Sequence, residues 1–198
     1  MRTLVVGASG TIGKEVVKAL ASGNEIIEAS RSHGKIKVDI RDVASIRAMY
    51  KSAGKLDAVI SAAGSGAWKP LAQLTEEDFA DSLGDKLMGQ VNVIRYGLDS
   101  VADRGSITVT SGVLAKSPMP SSGAISLVNA GLEGFARSAA LEAPRGVRVN
   151  VVSPPGVSET LKAWGQDPSH GLPAPQVARA YVDSVKSTKT GQVIEPST

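Results

Sequence analysis

The stretch Thr3-Leu4-Val5-Val6-Gly7-Ala8-Ser9-Gly10-Thr11-Ile12-Gly13 joins a short apolar run to a glycine-rich turn, and an amphipathic helical pattern follows directly. Glycines permit a tight turn and let the backbone approach a pyrophosphate, whose charge is stabilised by the unpaired N–H groups at a helix start. A turn that only packs the helix against the strand is the alternative. The position at the first β-to-α turn favours nucleotide binding. The predicted binding residues are Gly7, Ser9, Gly10, Thr11, Ile12 and Gly13.

Short apolar runs alternate with segments of helical spacing along the rest of the chain. The runs are continuously apolar, as expected of parallel strands that are covered on both faces. The predicted strands are residues 3–6, 25–29, 36–38, 58–61, 106–110, 148–152 and 192–194, and the predicted helices are residues 12–21, 43–52, 76–98, 124–143 and 176–185. This alternation predicts an α/β fold of the Rossmann type, with a doubly wound, mostly parallel seven-stranded sheet and helices on both faces.

Length and composition predict one globular domain over residues 1–198, with 42% hydrophobic and 21% charged residues. The net charge is only +3 and the basic residues are scattered, so no nucleic-acid partner is expected. No apolar run is long enough for a signal peptide or a membrane span, which predicts a cytoplasmic protein without membrane contact. Cysteine is absent and the two histidines, His33 and His170, are far apart, so no metal site is expected.

Residues 154–175 depart from the regular pattern, because proline and glycine recur throughout this stretch. Such a composition predicts an irregular segment with at most a short helix. A long loop after a late strand of a doubly wound sheet lies over the carboxyl edge, where ligands bind. We therefore interpret residues 154–175 as a lid over the substrate.

The predicted second strand ends in Ser30-Arg31-Ser32, without the carboxylate that an NAD-specific domain uses to bind the adenosine ribose. Arg31 can hold a phosphate through two parallel hydrogen bonds, and the two serines can add hydroxyl donors. The alternative is a solvated surface arginine. We predict that Ser30, Arg31 and Ser32 bind the 2′-phosphate of NADP (NADPH).

Further motifs in this order make the chain resemble the short-chain dehydrogenase/reductase family from Arg2 to Pro196. They are Val38-Asp39-Ile40, Ser61-Ala62-Ala63-Gly64, Thr110-Ser111-Gly112, the run from Arg148 to Val157 with Thr160, and Thr190-Gly191-Gln192-Val193-Ile194. The resemblance implies that Asp39 and Ile40 meet the adenine and that Ser111 is catalytic. It further implies cofactor contacts for Ala62, Ala63, Gly64, Pro155, Gly156, Val157 and Thr160.

The chain departs from that family at the active site, where a tyrosine donates the proton and a lysine four residues later lowers its pKa. Ile125 stands at the tyrosine position and Asn129 at the lysine position. Asn129 can still bond a ribose hydroxyl, but Ile125 cannot donate a proton. Lys86 replaces an asparagine of the family and is our candidate for acid or electrostatic clamp. The alternative is an ordinary solvated helix lysine.

The resemblance implies an oxidoreductase with Ser111 at its active site. We predict an NADP(H)-dependent enzyme acting on a small carbonyl or imine, in which Ser111 and Lys86 stabilise charge. Because the proton donor is absent, a catalytically silent NADP(H)-binding sensor or scaffold is the alternative. Isomerase or lyase chemistry on the same fold is a third possibility without specific support. The resemblance also implies a homodimer or homotetramer that pairs through residues 76–98 and 124–143.

Overall fold

The computed structural model describes residues 1–196 of the chain and shows a seven-stranded sheet in which every strand pair is parallel. The strands are β1 (Arg2–Val6), β2 (Glu25–Ser30), β3 (Ile36–Lys37), β4 (Leu56–Ser61), β5 (Val101–Thr110), β6 (Arg148–Val152) and β7 (Val193–Ile194). The helices are α1 (Thr11–Leu20), α2 (Val43–Ala53), α3 (Glu76–Ser82), α4 (Gln90–Gly97), α5 (Gly123–Glu142), α6 (Ser158–Ala163) and α7 (Ala174–Lys186). The predicted doubly wound α/β fold is confirmed.

The strand order is β3-β2-β1-β4-β5-β6-β7, so the chain winds outward from β1 in one direction and then returns to β4 on the other side. The direction of winding therefore changes between β1 and β4. In open α/β sheets, ligands bind in the crevice that opens at the carboxyl ends of the strands at this switch point. The glycine turn that follows β1 lies at this crevice.

The two faces of the sheet carry separate apolar cores. On one face, Val16 of α1 and Val177 of α7 belong to a buried cluster that includes Val5 of β1. On the other, Ile46 of α2 and Leu132 of α5 belong to a larger buried cluster. Full burial of such side chains contributes about 1.5–3 kcal/mol each, which holds helices on both faces and leaves the carboxyl edge to ligands.

The predicted helix over residues 76–98 is interrupted by a π-helical segment, Leu83–Gly89, between α3 and α4. The segment contains two glycines, Gly84 and Gly89, which weaken regular helix propensity. π-helical turns are rare in proteins, and those that do occur are often found at functional sites. The buried residues of this segment are Lys86 and Gly89, so the wider turn places a lysine in the interior.

The Pro/Gly-rich segment after β6 contains the short helix α6, as the composition allowed. Val157 and Leu172 form an isolated parallel bridge that joins the two ends of this excursion. Within residues 1–196, no helix combines the length and the apolar character needed to cross a bilayer.

Candidate dinucleotide site and active site

The glycine turn after β1 has a shape that two of its glycines make possible. Gly7 has φ +82°, and a Cβ there would lie 2.6 Å from the Ala62 carbonyl oxygen. A Cβ at Gly13 would lie 2.0 Å from the Gly7 carbonyl oxygen, so helix α1 can approach the turn only with glycine at this position. The backbone N–H of Gly7 donates to Ala29 at the end of β2 over 2.8 Å. The turn is therefore held against both neighbouring strands.

A cleft of about 270 Å³ opens beside this turn, at the switch point of the sheet. It brings together most of the residues that the sequence predicted to hold a dinucleotide. These are Gly7, Ser9, Gly10, Ser30, Arg31, Ser32, Asp39, Ile40, Ala62, Ala63 and Gly64. Residues Thr11, Ile12 and Gly13 form the first turn of α1, whose N–H groups have no partner inside the helix.

Two polar residues that the sequence analysis missed, Ser65 and Asp85, also line the cleft, as do Val6 and Val38. The Ser65 backbone N–H and hydroxyl both donate to Asp85 Oδ2 at 3.0 Å. These bonds tie the loop after β4 to the π-helical segment. Neither polar residue was predicted from a motif. The sequence pointed to this part of the site only through their neighbours, Gly64 and Lys86, which were predicted site residues.

The remaining predicted contacts lie outside the lining of this cleft. Pro155, Gly156, Val157 and Thr160 follow β6, and Asn129 lies on α5. Asn129 is 2% exposed, and its Oδ1 has no hydrogen-bond partner among residues 1–196. Buried polar atoms are nearly always paired in native proteins, so an orphaned amide oxygen here fits an absent ligand that carries hydroxyl groups.

The rim at the end of β2 differs in detail from the prediction. The Ser30 hydroxyl is buried, accepts the His33 backbone N–H over 2.9 Å and donates to the His33 carbonyl oxygen. Ser32 Oγ lies 2.7 Å from His33 Nδ1. Both hydroxyls therefore shape the β2–β3 loop, whereas Arg31 is exposed and has no ion-pair partner within the described part of the chain. Arg31 is the group at this rim that is free to bind an anion.

Lys86 is 8% exposed and lies directly against the strand end that borders the cleft. A Cβ at Gly64 would come within 2.8 Å of Lys86 Cα, so the two backbones are in contact. Burial lowers the pKa of Lys86 to about 8, and the charge of Asp85 opposes this shift. Lys86 is therefore not a solvated surface lysine.

The positions of the family's tyrosine and lysine are occupied by Ile125 and Asn129, neither of which is ionisable. Ile125 is half-buried beneath the loop after β4, and a Cβ at Gly66 would lie 2.7 Å from Ile125 Cδ1. Tyr50 and Tyr181 are buried and bonded, to the Val93 carbonyl oxygen and to Thr110 Oγ1, and burial raises the pKa of both phenols. Neither tyrosine takes the place of the missing proton donor.

Ser111, predicted to be catalytic, points its hydroxyl into the interior toward α5 and not into the cleft. Its hydroxyl is buried and donates to Glu133 Oε1 over 2.8 Å. Successive residues of an extended chain face opposite sides, and a Cβ at Gly112 would lie 2.9 Å from Asn129 Nδ2. Ser111 therefore faces Glu133 while Gly112 faces the Asn129 amide. Its catalytic role stays a prediction, and it requires that the Ser111 hydroxyl leave Glu133 and bond to the substrate instead.

A parallel doubly wound sheet with a glycine-turn cleft at its switch point defines the class of dinucleotide-binding α/β proteins. The family profile described as Enoyl-(Acyl carrier protein) reductase matches residues 7–190. The chain belongs to the short-chain dehydrogenase/reductase family, in agreement with the predicted resemblance.

Individual relatives support the same assignment. A hydroxynaphthalene reductase of Aspergillus fumigatus is 30% identical over 181 residues, and the match covers 83% of this chain and 66% of that protein. The solved structure of protein lin1944 from Listeria innocua is 38% identical, with a TM-score of 0.93 and 98% of both chains covered. A small-chain dehydrogenase in complex with NADPH is 24% identical with a TM-score of 0.87, covers 98% of this chain and 95% of its own, and shows the same fold.

Proposed function

We propose that the protein is an NADP(H)-dependent oxidoreductase that acts on a small carbonyl or imine at a non-standard catalytic site. The observation that carries the proposal is Lys86, a buried lysine with a pKa near 8 that lies against Gly64 at the border of the dinucleotide cleft. Such a group is mostly protonated at neutral pH and exchanges its proton readily, as an acid catalyst requires. The family and the curated relatives are oxidoreductases, which sets the reaction class.

The residues present fit a nicotinamide dinucleotide. The glycine turn and the first turn of α1 would hold the pyrophosphate, Asp39 the adenine, Arg31 the 2′-phosphate and Asn129 a ribose hydroxyl. The orphaned Asn129 Oδ1 and the absence of side chains at the turn support this fit. When bound, the cofactor supplies or accepts the hydride.

The role of Lys86 follows from its surroundings. A buried ammonium in a site of low dielectric stabilises developing negative charge on a substrate oxygen far more than it would in water. Within residues 1–196, no carboxylate lies within ion-pair distance of its ammonium, and Asp85 acts on it only through its charge at longer range. We assign Lys86 the proton transfer or charge stabilisation that the family leaves to tyrosine and lysine.

Two exposed tryptophans suggest where a substrate enters. Trp68 lies in the loop after β4, and Trp164 directly follows helix α6 within the proposed lid at residues 154–175. The Trp68 loop is fixed by a 3.0 Å bond from the Lys69 backbone N–H to the Ser121 carbonyl oxygen. We assign both indoles to the mouth of the substrate site, since large apolar side chains at a carboxyl edge favour apolar ligands.

The decisive experiment is oxidation of NADPH in the presence of a panel of ketones, aldehydes and imines. The panel includes a hydroxynaphthalene, because the Aspergillus fumigatus relative carries the name hydroxynaphthalene reductase. Turnover with any member that is lost in Lys86→Met supports the proposal. Tight NADPH binding without turnover across the panel would favour a silent sensor or scaffold. Two observations support that alternative: Ile125 cannot donate a proton, and the Ser111 hydroxyl is bonded to Glu133.

Gly10→Val is expected to weaken dinucleotide binding by about tenfold while the fold is retained. Gly10 has the extended angles φ −77° and ψ 171°, and a Cβ there meets only the Gly7 carbonyl oxygen, at 3.3 Å. The branched side chain would project into the cleft. Gly13→Val cannot serve this purpose, because it would disrupt the turn itself. Fluorescence titration with NADPH, with the melting temperature as control, measures the effect, and unchanged affinity would contradict the site assignment.

We also propose that the protein forms a homodimer or homotetramer through α4 and α5. The outer face of α5 carries exposed Leu127 and Leu141, and between them lies Gly134, where a Cβ would meet nothing within 4 Å. A surface of this composition packs closely against a second helix and is unfavourable in water. Leu127→Glu is therefore expected to shift the protein to monomer in light scattering, whereas Ala19→Glu, which adds the same charge at an exposed position of α1, leaves the mass unchanged. A native protein that is already monomeric would contradict the proposal.

A further inference from the structure

A second groove, of about 280 Å³, adjoins the dinucleotide cleft. Arg31, Ser65 and Asp85 line both spaces, so the two are continuous along the Arg31 rim. The second groove adds Arg41, which the sequence analysis did not single out. Two guanidinium groups thus line one groove beside the expected position of the adenosine ribose. Three carboxylates line it as well: Asp78 pairs with Lys69, Asp85 accepts from Ser65, and Asp81 faces Arg41.

The adjacent strands explain why these arginines meet. Arg31 follows β2 and Arg41 follows β3, and the carboxyl ends of neighbouring parallel strands lie at the same edge of a sheet. The Arg41 backbone N–H donates to Asp39 Oδ1 over 3.0 Å, which fixes the start of the Arg41 side chain beside the adenine position. The geometry therefore directs both cations to one rim.

Arg41 is held by an exchangeable partner. Its Nη2 lies 3.0 Å from Asp81 Oδ1, and the two side chains are 51% and 60% exposed. Exposed ion pairs of this kind contribute little to stability, because solvent screens them and the side chains lose entropy. A phosphate carries more charge than one carboxylate and accepts parallel hydrogen bonds from a guanidinium, so it competes well for Arg41.

The β2 rim alone offers less to a phosphate than its sequence suggests. The Ser30 hydroxyl is hydrogen-bonded to both the backbone N–H and the carbonyl of His33, and the Ser32 hydroxyl is hydrogen-bonded to the His33 ring. Arg31 is left without a hydroxyl partner for the phosphate. A second cationic donor has to come from another element, and Arg41 lines the same groove.

We propose that Arg41 is a second ligand of the 2′-phosphate of NADP(H), and that Asp81 restrains it in the free protein. This inference rests on the proposed use of NADP(H). Phosphate binding transfers Arg41 from the Asp81 carboxylate to the phosphate oxygens, without any covalent change. Asp81 therefore weakens phosphate binding twice, through competition for Arg41 and through its own negative charge.

Arg41→Ala tests the ligand role by direct binding. We expect the Kd for NADPH to rise about tenfold while the Kd for NADH stays within about twofold. The fragments 2′,5′-ADP and 5′-ADP should show the same contrast in calorimetry, independent of any turnover. Arg47→Ala is the matched control, because it removes the same charge from α2 at a side chain that contacts Tyr96 instead of the groove.

Asp81→Asn tests the restraint and has the opposite sign. We expect NADPH and 2′,5′-ADP to bind about threefold more tightly and NADH to be unaffected, with the gain shrinking as salt is raised. Asp103→Asn is the control, since Asp103 pairs with Arg145 over 3.0 Å near the start of β5, at the opposite edge of the sheet.

The outcomes separate the possibilities. An equal loss of NADPH and NADH affinity in Arg41→Ala would show an adenine contact and overturn the proposal. No change in either Arg41→Ala or Asp81→Asn would show a surface ion pair and overturn it as well. Failure of the proposed function is visible earlier, because the native protein would then bind NADH as well as NADPH, or neither. An Arg31→Ala/Arg41→Ala protein should bind both dinucleotides equally.

Discussion

Lys86→Met is expected to lower the turnover number by about a hundredfold or more, the scale of general acid catalysis, with little change in NADPH affinity. Methionine preserves the length and apolar stem of the side chain, so the π-helical segment and its contact with Gly64 should persist. Only the proton and the charge are removed. Lys51→Met, an exposed lysine of α2, is the matched control. Steady-state and single-turnover rates measure the effect, and native turnover in Lys86→Met would exclude Lys86 from the chemistry.

The pH profile of the native protein should report the same group. Because the pKa of Lys86 is lowered to about 8, its protonated fraction falls as the pH rises through that value. The rate of carbonyl reduction should therefore fall about tenfold for each pH unit above 8 if the ammonium acts as the acid. In Lys86→Met the residual rate should lack this dependence. A native profile that is flat across this region would contradict the assignment.

The same substitution should stabilise the protein. The pKa of Lys86 lies below its ordinary 10.5, so the unfolded chain binds more protons than the folded protein between about 8 and 10.5. Native stability therefore rises with pH through this window, and at neutral pH the buried ammonium costs about 3 kcal/mol, since each pKa unit corresponds to about 1.4 kcal/mol. Lys86→Met removes this cost. Urea unfolding at neutral pH measures it, and a less stable variant would contradict the burial argument.

The sheet, its helices and most of the cleft could be predicted because they depend on local pattern. A continuous apolar run such as residues 3–6 identifies a parallel strand, and the glycines that follow it identify the turn. The resemblance then located the strand ends that carry Asp39 and Ala62–Gly64, which the structure places in one cleft. The helical spacing over residues 76–98 identified a helix but not its π-helical centre, because one short π-helical segment between two α-helices has no sequence motif of its own.

Other features of the site depend on contacts between distant parts of the chain. Ser111 and Gly112 are adjacent in sequence, but they face opposite sides of the chain at the end of β5. An alignment that is wrong by one residue would therefore place the catalytic serine toward Asn129, whereas the Ser111 hydroxyl is buried against Glu133. The engagement of Ser30 by His33 and the pairing of Arg41 with Asp81 have no sequence motif. Tertiary placement alone decided which polar groups are free to bind a ligand.

Arg31→Ala is expected to weaken NADPH binding by about a hundredfold and to leave NADH binding nearly unchanged, because the two cofactors differ only in the 2′-phosphate. Each charge-assisted hydrogen bond to the phosphate contributes about 1.5–3 kcal/mol, and a guanidinium makes two in parallel. Arg31 is exposed at the rim of the cleft and has no carboxylate partner within residues 1–196, so no internal ion pair has to be broken.

Ser30→Asp should reduce NADPH affinity further than Arg31→Ala does. An aspartate can keep the acceptor role toward the His33 N–H, but it loses the bond to the His33 carbonyl and adds a negative charge beside Arg31. That charge both neutralises the guanidinium and repels the phosphate, while it offers the ribose hydroxyls of NADH an acceptor. Parallel titrations of NADPH and NADH decide the matter, with Arg179→Ala on α7 as the control for lost charge. If the native protein binds NADH as tightly as NADPH, the assignment of this strand end is wrong.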